Sequence, residues 1–372
     1  MRMTRTRKFK KQKMLVIALS CVFTFFLTVG YAAFTTRLTL NAKGNIFPST
    51  SVNELKRKAV TTGDGLYVDS YEDGAYVFRG ANPDNYLTLN GETWRIISID
   101  PSGNLKIIKD DFLTGDHIDF DRGISNNEEG ELDDRGSYGS EYYCRKPYED
   151  IYPGCNIWGS SSTMRDSTGN LFSSQGISAI SWDDSGIQYN LPGYEAYINV
   201  YLNGGQYASE TLTGWYENWS SGLSSNIKSK ILSDHMWNVG HVFGTNGESL
   251  ATDIAEEKSL KWQGRVGLMS VTDYLKSNDI NVCTASDSVG SCIQSYEQHS
   301  YLYKGNGNVQ VFITPGATTY SLWGVSENIG VTQMDLYFDA DDSFSIRPVL
   351  YLSSDVRLSG NGTSSNKYTI LS

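Results

Sequence analysis

A short stretch past the middle of the chain combines aromatic rings with amide and carboxylate groups. Trp215, Tyr216 and Trp219 lie close together, beside Glu217 and Asn218. Exposed aromatic rings next to amides stack on sugar rings or anchor partner proteins. On a helix, however, two residues four apart share one face, and that face can equally pack against the core. Trp215, Tyr216 and Trp219 are therefore a candidate binding surface, although the spacing favours a helix whose tryptophans face the core.

A cation site is the second candidate. Asp116, Asp119 and Asp121 offer closely spaced carboxylates, and hard cations such as Ca²⁺ prefer oxygen ligands. A regular EF-hand that starts at Asp119 needs glycine at its sixth position and glutamate at its twelfth. This chain has Ile124 and Gly130 there. The pattern therefore indicates an irregular calcium site or a solvated acidic loop, and no other cofactor is predicted.

The cysteines predict local disulfides. Cys144 and Cys155 are close in sequence, as are Cys283 and Cys292, and each pair stands in a loop-like segment. Outside the cell such pairs are commonly oxidised, and free thiols are the alternative. Zinc is disfavoured because its paired ligands are normally two to four residues apart. Cys21 stands apart from both pairs, in a long apolar run.

Familiar catalytic motifs are absent from the sequence. The four histidines, His117, His235, His241 and His299, include no i, i+4 pair of the zinc-helix type. Neither the G-x-S-x-G elbow of serine hydrolases nor the phosphate-binding G-x-x-x-x-G-K-[ST] loop occurs. These absences favour a binding protein. An extracellular enzyme that uses two carboxylates on wall or glycan and a purely structural surface protein are the alternatives.

The element that must position all of these residues relative to the cell is the segment Met14–Phe34. It contains no charged residue, and about 20 apolar residues are enough to cross a bilayer as a helix. The 13 residues before it carry seven Lys and Arg and no acid, which places the N-terminus on the cytoplasmic side. Its length favours a retained anchor, whereas the small residues Gly30, Ala32 and Ala33 favour a cleaved signal.

The charge of the remaining chain restricts its partners. The whole chain has 31 basic and 42 acidic residues, so setting aside the seven N-terminal bases leaves 24 against 42, a formal charge of −18. Nucleic-acid binders need basic surfaces, so no nucleic-acid partner is predicted. The simplest interpretation of this negative charge is that it keeps the exported part soluble. A membrane contact is predicted for Met14–Phe34 alone.

Local patterns predict the elements of an α+β domain. Ser51–Val60 opens with an N-cap residue and continues with helix formers. Tyr86–Leu89 and Thr93–Ile99 flank Asn90-Gly91, a strong hairpin signal. With Leu105–Ile108 they predict an antiparallel meander that buries Trp94.

Further along the chain, apolar runs predict buried strands at Arg265–Val271 and Val309–Thr314. Pro348 is predicted at a sheet edge or at the start of a strand. These patterns divide the chain into residues 1–34 as leader and membrane or signal segment, 35–63 as stalk or linker, and 64–372 as one exported domain. That domain carries an acidic insertion near 116–150 with eleven acidic and four basic residues.

Several phrases resemble an uncharacterised exported domain of Gram-positive bacteria. They are YVFRGANPDNYLTLNGETWRIISI, INVYLNG, MWNVG, WQGRVGLMSVTDY and SIRPVLYLSSDVRLSGNGTSSNKYTI. The closing motif Ile346–Leu352 is similar to the ending of the C-type-lectin-like fold shared with formylglycine-generating enzymes. The resemblance implies a loop-rich mixed α+β domain with antiparallel strands. Those enzymes depend on a close cysteine pair, and because Cys283 and Cys292 stand in a different context, their activity is not expected here.

Topology, resemblance and missing catalytic motifs together predict a bacterial surface protein of the binding or adhesion type. Its expected ligand is an extracellular glycan or protein. It would be anchored by a single span with the C-terminal domain outside, or secreted if the segment is cleaved.

Overall fold

The computed structural model describes most of the C-terminal part of the chain and a short N-terminal stretch. The described residues are 13–15, 17–25, 49–113, 144–145, 151–152, 164–166, 202–207, 210–240, 249–278, 299–304, 309–315, 321–326, 330–335 and 344–371. The chain forms two compact units, Met1–Pro48 and Ser49–Ser372.

In the first unit, residues 13–15 and 17–25 are helical. Cys21 is exposed with a free thiol. Within the described ranges, no helix has both the length and the apolar character that a membrane crossing requires. The other residues of the predicted segment Met14–Phe34 lie outside those ranges.

The second unit is built from many short strands and a few short helices. The helices are α1 (Val52–Lys56), α2 (Trp215–Ser220), α3 (Ser225–Lys228), α4 (Leu250–Glu257) and α5 (Val271–Ser277). The strands are β1 (Thr50–Ser51), β2 (Gly65–Val68), β3 (Tyr76–Arg79), β4 (Tyr86–Leu89), β5 (Glu92–Ile99), β6 (Leu105–Lys109), β7 (Cys144–Arg145), β8 (Ile151–Tyr152), β9 (Met164–Asp166), β10 (Gly205–Tyr207), β11 (Glu210–Leu212), β12 (His235–Asn238), β13 (Leu260–Gly264), β14 (Val309–Pro315), β15 (Ser321–Ser326), β16 (Gly330–Asp335), β17 (Phe344–Ser345), β18 (Val349–Leu352), β19 (Arg357–Ser359) and β20 (Tyr368–Ile370). This mixture confirms the α+β class.

A nine-stranded sheet forms the centre of the unit. Its order is β1-β19-β20-β4-β5-β3-β2, with β6 bonded to β5 and β18 bonded to β6. Only β20 and β4 run parallel within it. The long strand β5 pairs with β4 and β3 along one edge and with β6 along the other. The predicted meander β4-β5-β6 is confirmed, and β3 joins its central strand.

The hairpin between β4 and β5 forms as its turn residues predict. Asn90 and Gly91 have φ of 53° and 76°, and the flanking residues Leu89 and Glu92 pair across the turn. Positive φ at both turn residues is the type I′ geometry that matches strand twist. This turn fixes the register of β5 and therefore the face on which Trp94 is buried.

The compact unit begins earlier than the predicted boundary at residue 64. Strand β1 pairs with β19. Ser51 caps α1, because its hydroxyl accepts from the Glu54 backbone N–H while Glu54 bonds back to the Ser51 N–H. Val52 and Leu55 enter the core. Residues 49–63, predicted as linker, thus contain a strand and a helix that pack on the sheet.

The predicted strand at Arg265–Val271 is wrong. The segment is largely buried, but only Gly267 forms an isolated bridge, exchanging two backbone hydrogen bonds with Val349. Ser270 then caps α5 through a capping box with Asp273. A buried apolar run is compatible with a strand or a helix. The Ser270 capping box favours the helix, which therefore begins at Val271. By contrast, β14 confirms the strand at Val309–Thr314, and β18 begins directly after Pro348.

Candidate ligand-binding surface

Helix α2 is held by close backbone packing at its start. Gly214 is its N-cap, with no side-chain cap bond. A Cβ atom at Gly214 would lie 2.1 Å from the backbone nitrogen of Gly204, so a side chain there would force the two segments apart. This contact fixes the start of α2 and the direction in which its tryptophans project.

The two tryptophans of α2 stack on each other. The ring centroids of Trp215 and Trp219 are 5.0 Å apart, with 18° between the ring planes. Trp94 lies beneath them, with centroid distances of 6.4 Å to Trp215 and 5.4 Å to Trp219. Trp94 is fully buried, whereas the two helix tryptophans are partly buried and pack against the core. The pair therefore presents part of its aromatic surface to solvent over a rigid apolar floor.

Polar groups of the β4–β5 hairpin fix the second tryptophan. The Trp219 indole Nε1 donates to Glu92 Oε2 at 2.7 Å. Asn90 Nδ2 donates to the Trp219 carbonyl oxygen at 2.7 Å. Glu92 Oε1 is also 3.4 Å from Lys109 Nζ. The indole is thus locked by a charge-assisted hydrogen bond, and a carboxylate stands at the margin of the aromatic surface. We call Trp215, Trp219 and Glu92 the tryptophan surface.

Tyr216 packs against the buried side of this surface, with its ring centroid 6.0 Å from that of Trp219. Its side chain is buried, and the Arg265 guanidinium carbon lies 4.5 Å from its ring centroid. Arg265 Nη1 is in turn 3.6 Å from Glu217 Oε1. Burial raises the pKa of the Tyr216 phenol above its ordinary value. Tyr216 can therefore position α2, and direct contact with a ligand is left to the two tryptophans.

The other predicted site residues fall on parts of the chain without side-chain description. Six of them lie outside the described residues: Asp116, Asp119, Asp121, Cys155, Cys283 and Cys292. For Cys144, only the backbone in β7 is described. The calcium and disulfide predictions stay predictions. Within the described ranges, no group of three or more His, Cys, Asp or Glu side chains is arranged to hold a metal ion.

Buried carboxylates lie elsewhere in the domain, at the start of α5. Asp273 Oδ2 accepts from Lys106 Nζ at 2.5 Å and from the Ser270 backbone N–H at 2.8 Å. Glu257 Oε2 accepts from the Thr272 backbone N–H at 3.2 Å and from Thr314 Oγ1 at 3.1 Å. These bonds satisfy the first N–H groups of the helix. The pair therefore serves the fold. The enzyme alternative places its two carboxylates in the acidic insertion near 116–150, which lies outside the described residues except for residues 144–145, and it stays a prediction.

His235 lies beside this cluster as a neutral group. Its ring stacks on Tyr351 with centroids 3.3 Å apart. Burial first, and then the charges of Lys106 and Lys261, lower the pKa of His235 to about 3. An imidazole with such a low pKa stays uncharged near neutral pH, so His235 does not act there as a group that gains and loses a proton.

The buried Glu257 predicts a specific dependence of stability on pH. Burial first, and then the neighbouring Asp273 charge, raise the pKa of Glu257 above its ordinary value of 4.5. The folded state thus keeps a proton that the unfolded chain has already released. The free energy of unfolding should therefore fall as pH rises from 4.5 through the folded pKa.

Urea titrations of the wild type and of Glu257→Gln at several pH values from about 4.5 to about 8 will measure this slope. The amide keeps an oxygen acceptor for Thr272 and Thr314. We expect a flatter profile for the variant over this range. Equal slopes for the two proteins would contradict a raised pKa at Glu257.

Sequence patterns identified the aromatic residues but not what holds them. Glu92, Asn90 and Trp94 contact residues of α2 that are more than a hundred positions away. The available signal was indirect: the hairpin turn places Asn90 and Glu92 at its ends, and the strand pattern buries Trp94. No local pattern states which distant helix covers that hairpin.

Compared with known proteins, the chain matches no family model, no curated protein and no solved structure. A function for the tryptophan surface must therefore be argued from its geometry and chemistry.

Proposed function

We propose that this chain is a bacterial surface or secreted protein whose α+β domain binds an extracellular glycan or protein through the tryptophan surface. Met14–Phe34 would anchor it with the N-terminus in the cytoplasm, or would be cleaved to release it. The domain would have the C-type-lectin-like fold, for which the support is the motif Ile346–Leu352.

One observation carries the proposal: two stacked tryptophans remain partly open to solvent although they stand over a fully buried third. A helix that served only the core would have no need to leave two large apolar rings at the surface. Trp219 is held at 2.7 Å by Glu92, so its orientation is set before any ligand arrives. Rigid aromatic anchors of this kind lose little entropy on binding.

The chemistry of the surface fits a sugar ring or an aliphatic peptide side chain. Indole faces stack on the C–H faces of sugars and on apolar side chains. Glu92 adds an acceptor for a hydroxyl or an N–H at the margin. The neighbouring charges, Lys109, Glu217 and Arg265, are of both signs, so a strongly charged polymer is not favoured at this surface.

The test is binding of the purified full-length chain to a glycan array and to a library of surface-protein extracts. Trp215→Ala is expected to weaken the highest-affinity interaction by about 2 kcal/mol, roughly a 30-fold rise in Kd. Trp219→Phe keeps an aromatic ring but loses the bond to Glu92, so a smaller loss is expected.

Tyr76→Ala is the matched control for truncation of a partly buried aromatic residue. Tyr76 also packs against the core, with Lys56 Nζ 5.2 Å from its ring centroid. Its removal should leave binding unchanged. A wild-type chain that binds nothing on either support would point to a purely structural role. A Kd unaffected by Trp215→Ala would place binding elsewhere.

A further inference from the structure

A second polar cluster lies around Asp110. Its Oδ1 atom is 2.8 Å from Lys304 Nζ, 3.8 Å from Arg347 Nη2 and 4.0 Å from Arg95 Nη1. Only the lysine is within hydrogen-bond distance. Two guanidinium groups therefore face one carboxylate oxygen without bonding to it.

Arg347 is fully buried and its remaining atoms are already committed. Its Nε donates to the Lys109 carbonyl at 2.8 Å, and its Nη1 donates to the Leu302 carbonyl at 2.8 Å and to Gln310 Oε1 at 3.4 Å. Its Nη2 has no hydrogen-bond partner among the residues that the structure describes. Leaving such a charged donor unsatisfied is costly, so a ligand that accepts from Nη2 would remove this penalty.

Arg95 is held just as firmly. Its Nε donates to Asn85 Oδ1 at 2.6 Å, and its Nη2 donates to the Pro83 carbonyl at 3.2 Å. Its guanidinium carbon lies 3.6 Å from the Tyr86 ring centroid and 4.8 Å from that of Tyr301. The position of Nη1, the nitrogen nearest Asp110, is thereby fixed in advance.

The charges of this cluster do not balance. Three cations surround the half-buried carboxylate of Asp110, and among the described residues the exposed Asp111 is the other acid that acts on Arg347. Burial lowers the pKa of Arg347 to about 10 and also lowers the pKa of Arg95. Despite its own burial, Asp110 has a lowered pKa, because Lys304, Arg347 and Arg95 stabilise its carboxylate. The cluster thus carries excess positive charge in a mostly buried place.

We propose that this cluster is a binding site for a small oxyanion, a carboxylate, phosphate or sulfate group, which accepts from Arg347 Nη2 and Arg95 Nη1. Arginine forks are suited to several-oxygen acceptors of this kind. Lys304 is the solvent side of the site, since 28% of its side chain is exposed while that of Arg347 is 0% exposed. The inference is independent of the tryptophan surface, because it uses none of its residues.

The test titrates the purified full-length chain with sodium sulfate, sodium phosphate or sodium acetate at constant ionic strength set by sodium chloride. Binding is measured by calorimetry and by the rise in Tm. Sulfate and phosphate also stabilise proteins generally by exclusion from the surface, so a saturable signal is required. We expect saturation with at least one of the three anions, and their order of affinity identifies the preferred oxyanion.

Lys304→Gln is the informative variant because it removes one cation at the exposed side and leaves the buried arginines in place. Lys304 is not one of the two donors, but loss of its positive charge next to the site, which also leaves Asp110 without its hydrogen-bonded cation, should raise the Kd of the anion about ten-fold. Asp110→Asn should lower that Kd, because it removes the negative charge that lies closest to the two arginines among the described residues.

Lys230→Gln is the matched control, since Lys230 forms a similar pair with Asp355 at 2.6 Å. The Lys230→Gln variant should bind the anion with the same Kd as the wild type. Failure of all three anions to give a saturable signal would overturn the proposal, as would an equal response of the wild type and Lys304→Gln. Either result would leave the cluster as an ion-pair network without an anion site.

Discussion

Replacing Lys106 with methionine is expected to lower the free energy of unfolding by about 3–5 kcal/mol. Lys106 is buried and is the cation 2.5 Å from Asp273 Oδ2. Although burial lowers its pKa, the Asp273 carboxylate outweighs this effect, and the pKa of Lys106 is raised above its ordinary value. Without that cation, two buried acids, Asp273 and Glu257, would share the start of α5. Removing one partner of a buried pair leaves an uncompensated charge, and this penalty dominates the effect.

Urea unfolding at neutral pH followed by far-UV circular dichroism will measure the loss. The double variant Lys106→Met with Asp273→Asn should recover part of it, because the amide still accepts from Ser270 N–H and carries no charge. Such non-additivity is the signature of a direct interaction. Lys230→Met is the control: its partner Asp355 is 68% exposed, and exposed pairs contribute about 1 kcal/mol or less. Equal losses at Lys106 and Lys230 would contradict the burial argument.

Parts of this fold follow from the sequence because their determinants are local. The Asn90-Gly91 turn, the Ser51 cap and the strand start after Pro348 each depend on a few neighbouring residues. The pairing of β19 and β20 with the N-terminal strands is different. This pairing joins residues about 300 positions apart. The alternation of apolar residues predicts that a strand exists, but it does not predict which other strand it pairs with.

The same limit applies to the two sites. Trp215 and Trp219 could be selected from their spacing, yet whether they face the core or solvent depends on the distant Trp94 and Glu92. The Asp110 cluster was not predicted at all, because Arg95, Lys304 and Arg347 are spread over the chain. Isolated basic residues in apolar strands give no local signal that they will converge on one carboxylate.

Trp94→Ala is expected to give the second large effect, a loss of about 3–5 kcal/mol in the free energy of unfolding. Trp94 is fully buried near the start of β5 and contacts both tryptophans of α2. Its removal leaves a cavity beneath the tryptophan surface, so Trp215 and Trp219 lose their floor. Ligand binding should therefore weaken together with stability, although Trp94 itself would not touch the ligand.

Trp94→Phe separates packing from hydrogen bonding at the same position. The indole Nε1 of Trp94 has no hydrogen-bond partner in the described part of the chain, so phenylalanine removes an unsatisfied donor while it keeps most of the ring volume. The two effects oppose each other, and a loss below about 1.5 kcal/mol is expected. Trp215→Ala, at a partly exposed ring, should cost less stability than Trp94→Ala yet weaken binding more directly. If Trp94→Phe were instead as destabilising as Trp94→Ala, the ring that phenylalanine retains would contribute nothing to stability. That result would contradict the argument that Trp94 stabilises the domain through packing and would point to a hydrogen bond of its indole N–H.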